Sequence, residues 1–133
     1  MNKRLDELLV KNHPLLFGDR HGDMRNTAMC WGFECGNGWY SLLKEASDKL
    51  EVLIHAEMEK NVSLEGSTYM KAVQVKEKFG TLRFYMNSGT DTMYKIIEKA
   101  EAKSAKTCEV CGKPGKLRGT GWLYTSCRKH KRD

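Results

Sequence analysis

Cys108, Cys111, Cys127 and His130 stand in a Cys-x2-Cys-x15-Cys-x2-His array near the end of the sequence. Two residues between the members of a pair is the spacing at which one tight turn aims both side chains at a single tetrahedral zinc. The fifteen residues between the pairs are enough for a short hairpin. Gly112 follows the second cysteine, where the chain must turn sharply and glycine takes positive φ without a Cβ penalty. Four unrelated residues, or cysteines paired in disulfides, are the competing readings, and neither accounts for the doubled spacing. The sequence therefore predicts one structural Zn2+ per chain. Four protein ligands leave no position open for water, so such a metal stabilises a fold and activates no nucleophile. Around these ligands only Val110, Leu117, Trp122, Leu123 and Tyr124 are sizeable apolar residues. They are too few for an independent core, and metal binding is expected to be coupled to folding of the segment.

The charge is placed where the ligands are. The chain carries a net charge of +6, yet residues 1–102 hold 14 Lys/Arg against 15 Asp/Glu, and residues 103–133 hold 9 against 2, a local net charge of +7. Lys113, Lys116, Arg118, Arg128, Lys129, Lys131 and Arg132 crowd onto a segment that the metal would hold compact. A basic end of this kind fits a polyanionic partner. A solvated tail that serves solubility is the alternative.

The elements that must position this segment follow from the rest of the 133 residues, a length that fits one domain with a metal-stapled appendage. A hydrophobic fraction of 40% and a charged fraction of 30% are those of an ordinary globular chain. No apolar run reaches the ~18 residues of a membrane span, and the N-terminus lacks an apolar signal core. Five cysteines, three of them in the array, fit a reducing cytosol better than a disulfide framework. Leu5, Leu8 and Leu9 mark a short amphipathic helix over residues 2–11, ended by Pro14. Residues 18–38, with five glycines, read as a long loop. From Trp39 to Met58 apolar residues recur at steps of three and four, which predicts a helix from about 38 to 60. The pattern breaks over residues 61–67. Alternation over residues 72–86 then predicts a β-hairpin at 71–86 that turns at Phe79-Gly80-Thr81, with Val73, Val75, Leu82 and Phe84 on its core face. Period two puts Phe84 and Tyr85 on opposite faces, so only one of them is free to be exposed. Met93, Ile96, Ile97 and Ala100 mark a helix over 91–105, capped by Thr90 or Asp91. Of Trp122 and Tyr124, one is expected to pack on the body and the other to face a partner.

Three stretches carry a resemblance: Val75-Lys76-Glu77-Lys78-Phe79-Gly80-Thr81-Leu82-Arg83-Phe84-Tyr85, the upstream Cys35-Gly36-Asn37-Gly38-Trp39-Tyr40, and the downstream Cys108-Glu109-Val110-Cys111-Gly112 with Gly121-Trp122 and Cys127. Together they resemble a group of small, mostly uncharacterised proteins of bacteriophages, prophages and other mobile elements. The resemblance spans most of residues 30–130 and implies a phage accessory protein in the cytoplasm of a bacterial host. It assigns no catalytic residue, and action on host machinery or host defence comes with it by association alone.

Enzyme-like constellations are weaker. His55-Ala56-Glu57 followed by Cys108-x2-Cys111 is superficially the pair of half-motifs of a zinc deaminase. However, Thr107 stands where those enzymes have proline, the His-Ala-Glu lies late in a helix that it should open, and Cys127 and His130 already complete the shell. Glu51, His55 and Glu59 line one helical strip and read as a solvated charged face. His21, Cys30 and Cys35, with His13 in reach, are candidates for a second metal site, but their spacing is irregular. No phosphate-loop, dinucleotide-binding or nucleophile-elbow pattern occurs. Phe79, Phe84 and Tyr85 among Lys76, Lys78 and Arg83 interleave rings and charges as single-strand nucleic-acid surfaces do, with core packing as the plainer account.

The resulting expectation is an α+β fold. Its body, residues 1–106, packs two main helices on the hairpin, and residues 107–133 form a basic zinc-ribbon or zinc-knuckle module. The protein is expected to be no enzyme, to bind neither a membrane nor a small-molecule substrate, and to contact nucleic acid or a nucleoprotein complex through the basic module. The competing expectation is an inhibitor of a host enzyme or defence complex, such as a nucleic-acid-binding protein of the host, in which zinc is purely structural.

Overall fold

The computed structural model describes residues 1–60 and 69–132; the expected break over 61–67 lies outside the described residues. The fold is α+β. Three helices, α1 (Lys3–Asn12), α2 (Tyr40–Lys60) and α3 (Asp91–Ser104), accompany five short strands, β1 (Phe33–Glu34), β2 (Ala72–Lys78), β3 (Thr81–Met86), β4 (Lys116–Arg118) and β5 (Tyr124–Ser126). Helix α1 opens on Asn2, whose Oδ1 accepts the Leu5 N–H at 2.9 Å, and closes at His13, just before Pro14. Thr90 caps α3 by accepting the Met93 N–H at 3.3 Å. No helix of the described residues is long and apolar enough to cross a membrane.

Strands β2 and β3 pair antiparallel with Val75 opposite Phe84 and Lys78 opposite Thr81. Their two-residue turn, Phe79-Gly80, has φ of 54° and 86°. Positive φ at both positions defines the type I′ turn whose twist matches a hairpin. The expected alternation fails at one point. A register irregularity between Ala72 and Gln74 makes Ala72 and Val75, three residues apart, the fully buried pair, and Val73 is left half-buried. Phe84 goes to the core and Tyr85 is exposed, as period two requires.

The stretch over 18–38 is more than a loop. It contains two short 3-10 turns and β1, which pairs parallel to β2 with Phe33 opposite Val75, so the sheet order is β1-β2-β3. Two residues are too few to show any period, which is why the strand is invisible in the sequence. Phe33 nevertheless meets Phe17 edge-on, with centroids 4.8 Å apart, inside one hydrophobic cluster that includes Trp39, Leu43, Leu50, Val75, Leu82 and Met93. Helix α2 packs along α3, and α3 lies against β3.

The charged strip on α2 needs a correction. Glu51 is buried rather than solvated, and its carboxylate accepts the Leu15 and Leu16 N–H groups at 3.1 and 2.8 Å. A loop that runs through the core leaves backbone donors to satisfy, and a carboxylate from the helix satisfies two of them. Asp6 does similar work for Phe33 N–H and binds Arg20 Nε at 2.9 Å.

Candidate metal centre

The ligand array is gathered into one cluster. One donor atom from each of Cys108, Cys111, Cys127 and His130 lies within 4.8 Å of all the others. Cys111 Sγ and Cys127 Sγ are 3.7 Å apart, and His130 Nδ1 is 3.6 Å from Cys108 Sγ and 3.2 Å from Cys127 Sγ. A tetrahedral ion with metal–sulfur bonds of ~2.3 Å and metal–nitrogen bonds of ~2.0–2.1 Å has S–S edges of about 3.8 Å and S–N edges of about 3.5 Å. The cluster therefore has the size of a coordination shell. A sulfur pair 3.7 Å apart is no disulfide, whose bond is ~2.05 Å.

Local backbone builds the shell. Cys108 N–H donates to Lys113 O at 2.8 Å and Gly112 N–H to Cys108 O at 2.9 Å, which closes a knuckle in which Gly112 has φ of 81°. His130 N–H donates to Cys127 O at 3.3 Å in the second turn. Strands β4 and β5 connect the two turns, with Leu117 opposite Thr125. Burial raises the Cys108 thiol, but hydrogen bonds from the backbone at Cys127, Cys111 and Val110 outweigh it and hold the thiol down to about 6. For Cys127, too, burial is outweighed, by the backbone and ring of His130, and the thiol is lowered. Cys111 goes up: the Lys113 backbone lowers it, but desolvation and the neighbouring Cys108 and Cys127 thiols prevail. Three thiols in this space oppose one another's ionisation, which a cation held among them would relieve; the Cys127 and Cys108 thiols for their part raise the His130 imidazole.

The cluster is mounted on the body by close backbone approach. Gly38 N–H donates to Glu109 O at 2.7 Å, Gly36 N–H to Glu109 Oε2 at 2.8 Å, and Trp39 Nε1–H to Thr107 O at 2.9 Å. A Cβ on Gly38 would lie 2.1 Å from Cys108 O, so only glycine fits there. On the other side Thr125 Oγ1–H donates to Gly80 O at 2.6 Å. The three stretches that carry the sequence resemblance thus meet at one junction. Glu109 and Thr125 were not legible as junction residues; the small residues around Asn37 were the available signal, since paired glycines mark close approach.

Of the seven basic candidates, Lys113, Lys116, Arg128, Lys129, Lys131 and Arg132 are exposed and Arg118 is half-buried. Among the described residues none of the seven forms an ion pair. Lys116 and Arg128 share a shallow cleft with Arg118, and Lys131 and Arg132 share another with it, so Arg118 joins the two. Lys113 and Lys129 line neither cleft. The Arg132 guanidinium lies 4.4 Å from the centroid of the Tyr124 ring, whose hydroxyl accepts the Arg132 N–H at 2.8 Å. Tyr124 is buried and Trp122 is 79% exposed, but Tyr124 is held against Arg132 within its own segment and does not join the hydrophobic cluster of the body, where packing of one of the pair was expected.

The other constellations do not assemble. Among the described residues the Cys/His cluster is the single group with metal-ligating geometry. Cys30 donates to Thr27 O at 3.3 Å, and Cys35 is a buried thiol that burial pushes up to about 12. The His13 ring lies between Leu9 O and Asp48 Oδ1, at 2.7 and 2.6 Å. His55 is 3.4 Å from Glu51 on α2, and Cys108 and Cys111 are grouped with Cys127 and His130, so the deaminase half-motifs do not share a site. The fold and site define an α+β protein with a Cys3His cluster able to hold a metal. Comparison with protein-family models, with curated proteins and with solved structures finds no match.

Proposed function

We propose that the chain is a non-enzymatic, zinc-stabilised accessory protein of a phage or related mobile element, and that it binds nucleic acid or a nucleoprotein complex through its basic C-terminal surface. In this reading Cys108, Cys111, Cys127 and His130 hold one Zn2+ in a ribbon-like module built on β4 and β5. The ion has no open position and takes no part in a reaction. Zinc is favoured because three sulfurs and one imidazole in a tetrahedral shell suit it better than harder ions. Reduced ligand thiols fit the cytoplasm of a bacterial host.

One observation carries the nucleic-acid reading: seven basic residues stand in the segment that holds the cluster, six of them exposed, and among the described residues none is ion-paired to an acidic side chain. Cations left without acidic partners on a compact support are what a phosphate backbone requires. The test replaces Arg128, Lys129, Lys131 and Arg132 with Ala, none of which is a ligand. Metal content should be unchanged, nucleic-acid affinity should fall, and the dependence on salt should flatten by about one unit of log–log slope for each phosphate that is no longer neutralised. If the native protein binds neither DNA nor RNA near physiological ionic strength, the reading fails. The partner is then a host protein approached through the same charges.

A further inference from the structure

The hairpin tip and the segment between β4 and β5 each place an exposed aromatic ring on the wall of one cleft. Trp122 is 79% exposed and Phe79 65% exposed, and they line one cleft together with Lys78 and Leu123. Phe79 is conspicuous for its backbone. It occupies the first central position of a type I′ turn at φ 54°, where Asn, Asp or Gly is at ease and a bulky side chain is strained. A ring held there and turned to solvent contributes nothing to the core, so the fold alone gives no reason for it.

Trp122 also lines a second cleft, whose other walls include Arg118, Lys131 and Arg132. Glu77 is the acidic residue lining the first cleft, and its carboxylate is engaged by the Gly80 N–H at 2.7 Å. Lys78 thus lines the cleft that both rings share, and three basic side chains line the second cleft, which Trp122 also borders.

We propose that Phe79 and Trp122 form a stacking platform for the bases of single-stranded nucleic acid, with Arg118, Lys131 and Arg132 holding its phosphates. This rests on the nucleic-acid reading above and deepens it. Every base offers a π-face to a ring, but in a duplex those faces are covered by neighbouring pairs. Rings set among cations are therefore of use to an unpaired strand, whereas a duplex would use the cations alone. The Lys78 ammonium, 5.4 Å from the Phe79 ring centroid, adds a further positive charge beside the platform.

The test uses the full, metal-loaded chain in a Trp31→Phe background. Trp39 is buried, so Trp122 is then the exposed indole that reports stacking. Oligothymidylate, oligouridylate and a duplex of equal charge are titrated while tryptophan emission is followed. Quenching by the single strands, and tighter binding of them than of the duplex, are expected. With affinities of all chains read from the anisotropy of a labelled strand or duplex, Phe79→Asn and Trp122→Ala should each weaken single-strand binding by roughly 5- to 150-fold for the stack it removes, leave duplex affinity and the salt slope near native, and retain the metal. Phe79→Asn should not lower the melting temperature, since Asn suits the turn, so loss of binding in that variant cannot be ascribed to misfolding. If single strands and duplex bind equally well and both variants bind like the native chain, the platform is refuted and the phosphate-binding reading stands. If neither form of nucleic acid binds the native chain, both proposals fail, and Phe79 and Trp122 belong to a protein contact.

Discussion

The body and the C-terminal segment of this chain are held together by different means. Every residue of the hydrophobic core precedes residue 101, from Leu9 through Trp39, Leu50 and Leu82 to Ala100. After residue 106, Cys108 and Tyr124 are the buried hydrophobic residues, and Val110, Leu117 and Trp122 face solvent. The body excludes water from apolar area, whereas the segment converges four donor atoms on one point. A surface relieved of the need to bury apolar groups is free to carry cations and exposed rings, and that freedom is what the proposed binding function uses.

Removing the metal should break this contrast most severely. With zinc in the shell, chelation or Cys108→Ser should disorder residues 107–132 and leave the body folded, because every residue of its hydrophobic cluster precedes them. Zinc binding to finger peptides is worth about 10–16 kcal/mol, more than the sparse packing of the segment replaces. Elemental analysis and amide exchange check the expectation. A purified chain that contains no metal, or a Cys108→Ser chain with a C-terminal segment as protected as native, would show that the segment is held in some other way.

The complementary perturbation lies in the body. Phe84 is 4% exposed on β3, with its ring centroid 6.2 Å from that of Phe17. Phe84→Ala should cost on the order of 3–5 kcal/mol, measured by denaturant titration. The metal ligands do not touch this ring, so a partly folded Phe84→Ala chain should keep its metal. Equal loss of core stability and metal content would mean that the two regions unfold as one unit.

Legibility in the sequence followed the same division. The ligand set depends on local spacing, and the geometry of Cys108, Cys111, Cys127 and His130 agrees with it. The long helices and the hairpin were legible through sustained periods. Strand β1 was not, because parallel pairing of Phe33 with Val75 is a long-range choice that two residues cannot announce. Nor was the bulge at Val73, since one extra residue displaces the alternation without altering composition. Glu51 was misread because periodicity assigns a residue to a helix face but does not say what crosses that face.

The finest test concerns the junction through which the two regions touch. Trp39 is a fully buried body residue, yet its indole N–H donates to Thr107 O at 2.9 Å, one residue before the first ligand. Trp39→Phe keeps an aromatic ring in the core and removes that donor. The direct loss is about 0.5–1.5 kcal/mol for the hydrogen bond, with a further cost for the smaller ring. If the junction only anchors the segment, a competition titration with a chelator should give native metal affinity, and the whole loss should appear in the unfolding of the body. If the body pre-positions the knuckle, metal affinity should fall as well, by up to about tenfold for a loss of 1.4 kcal/mol. The close approach of Gly38 to Cys108, which leaves no room for a Cβ, favours pre-positioning. Native chelator resistance in Trp39→Phe would make the Cys/His segment an autonomous module that the body merely carries.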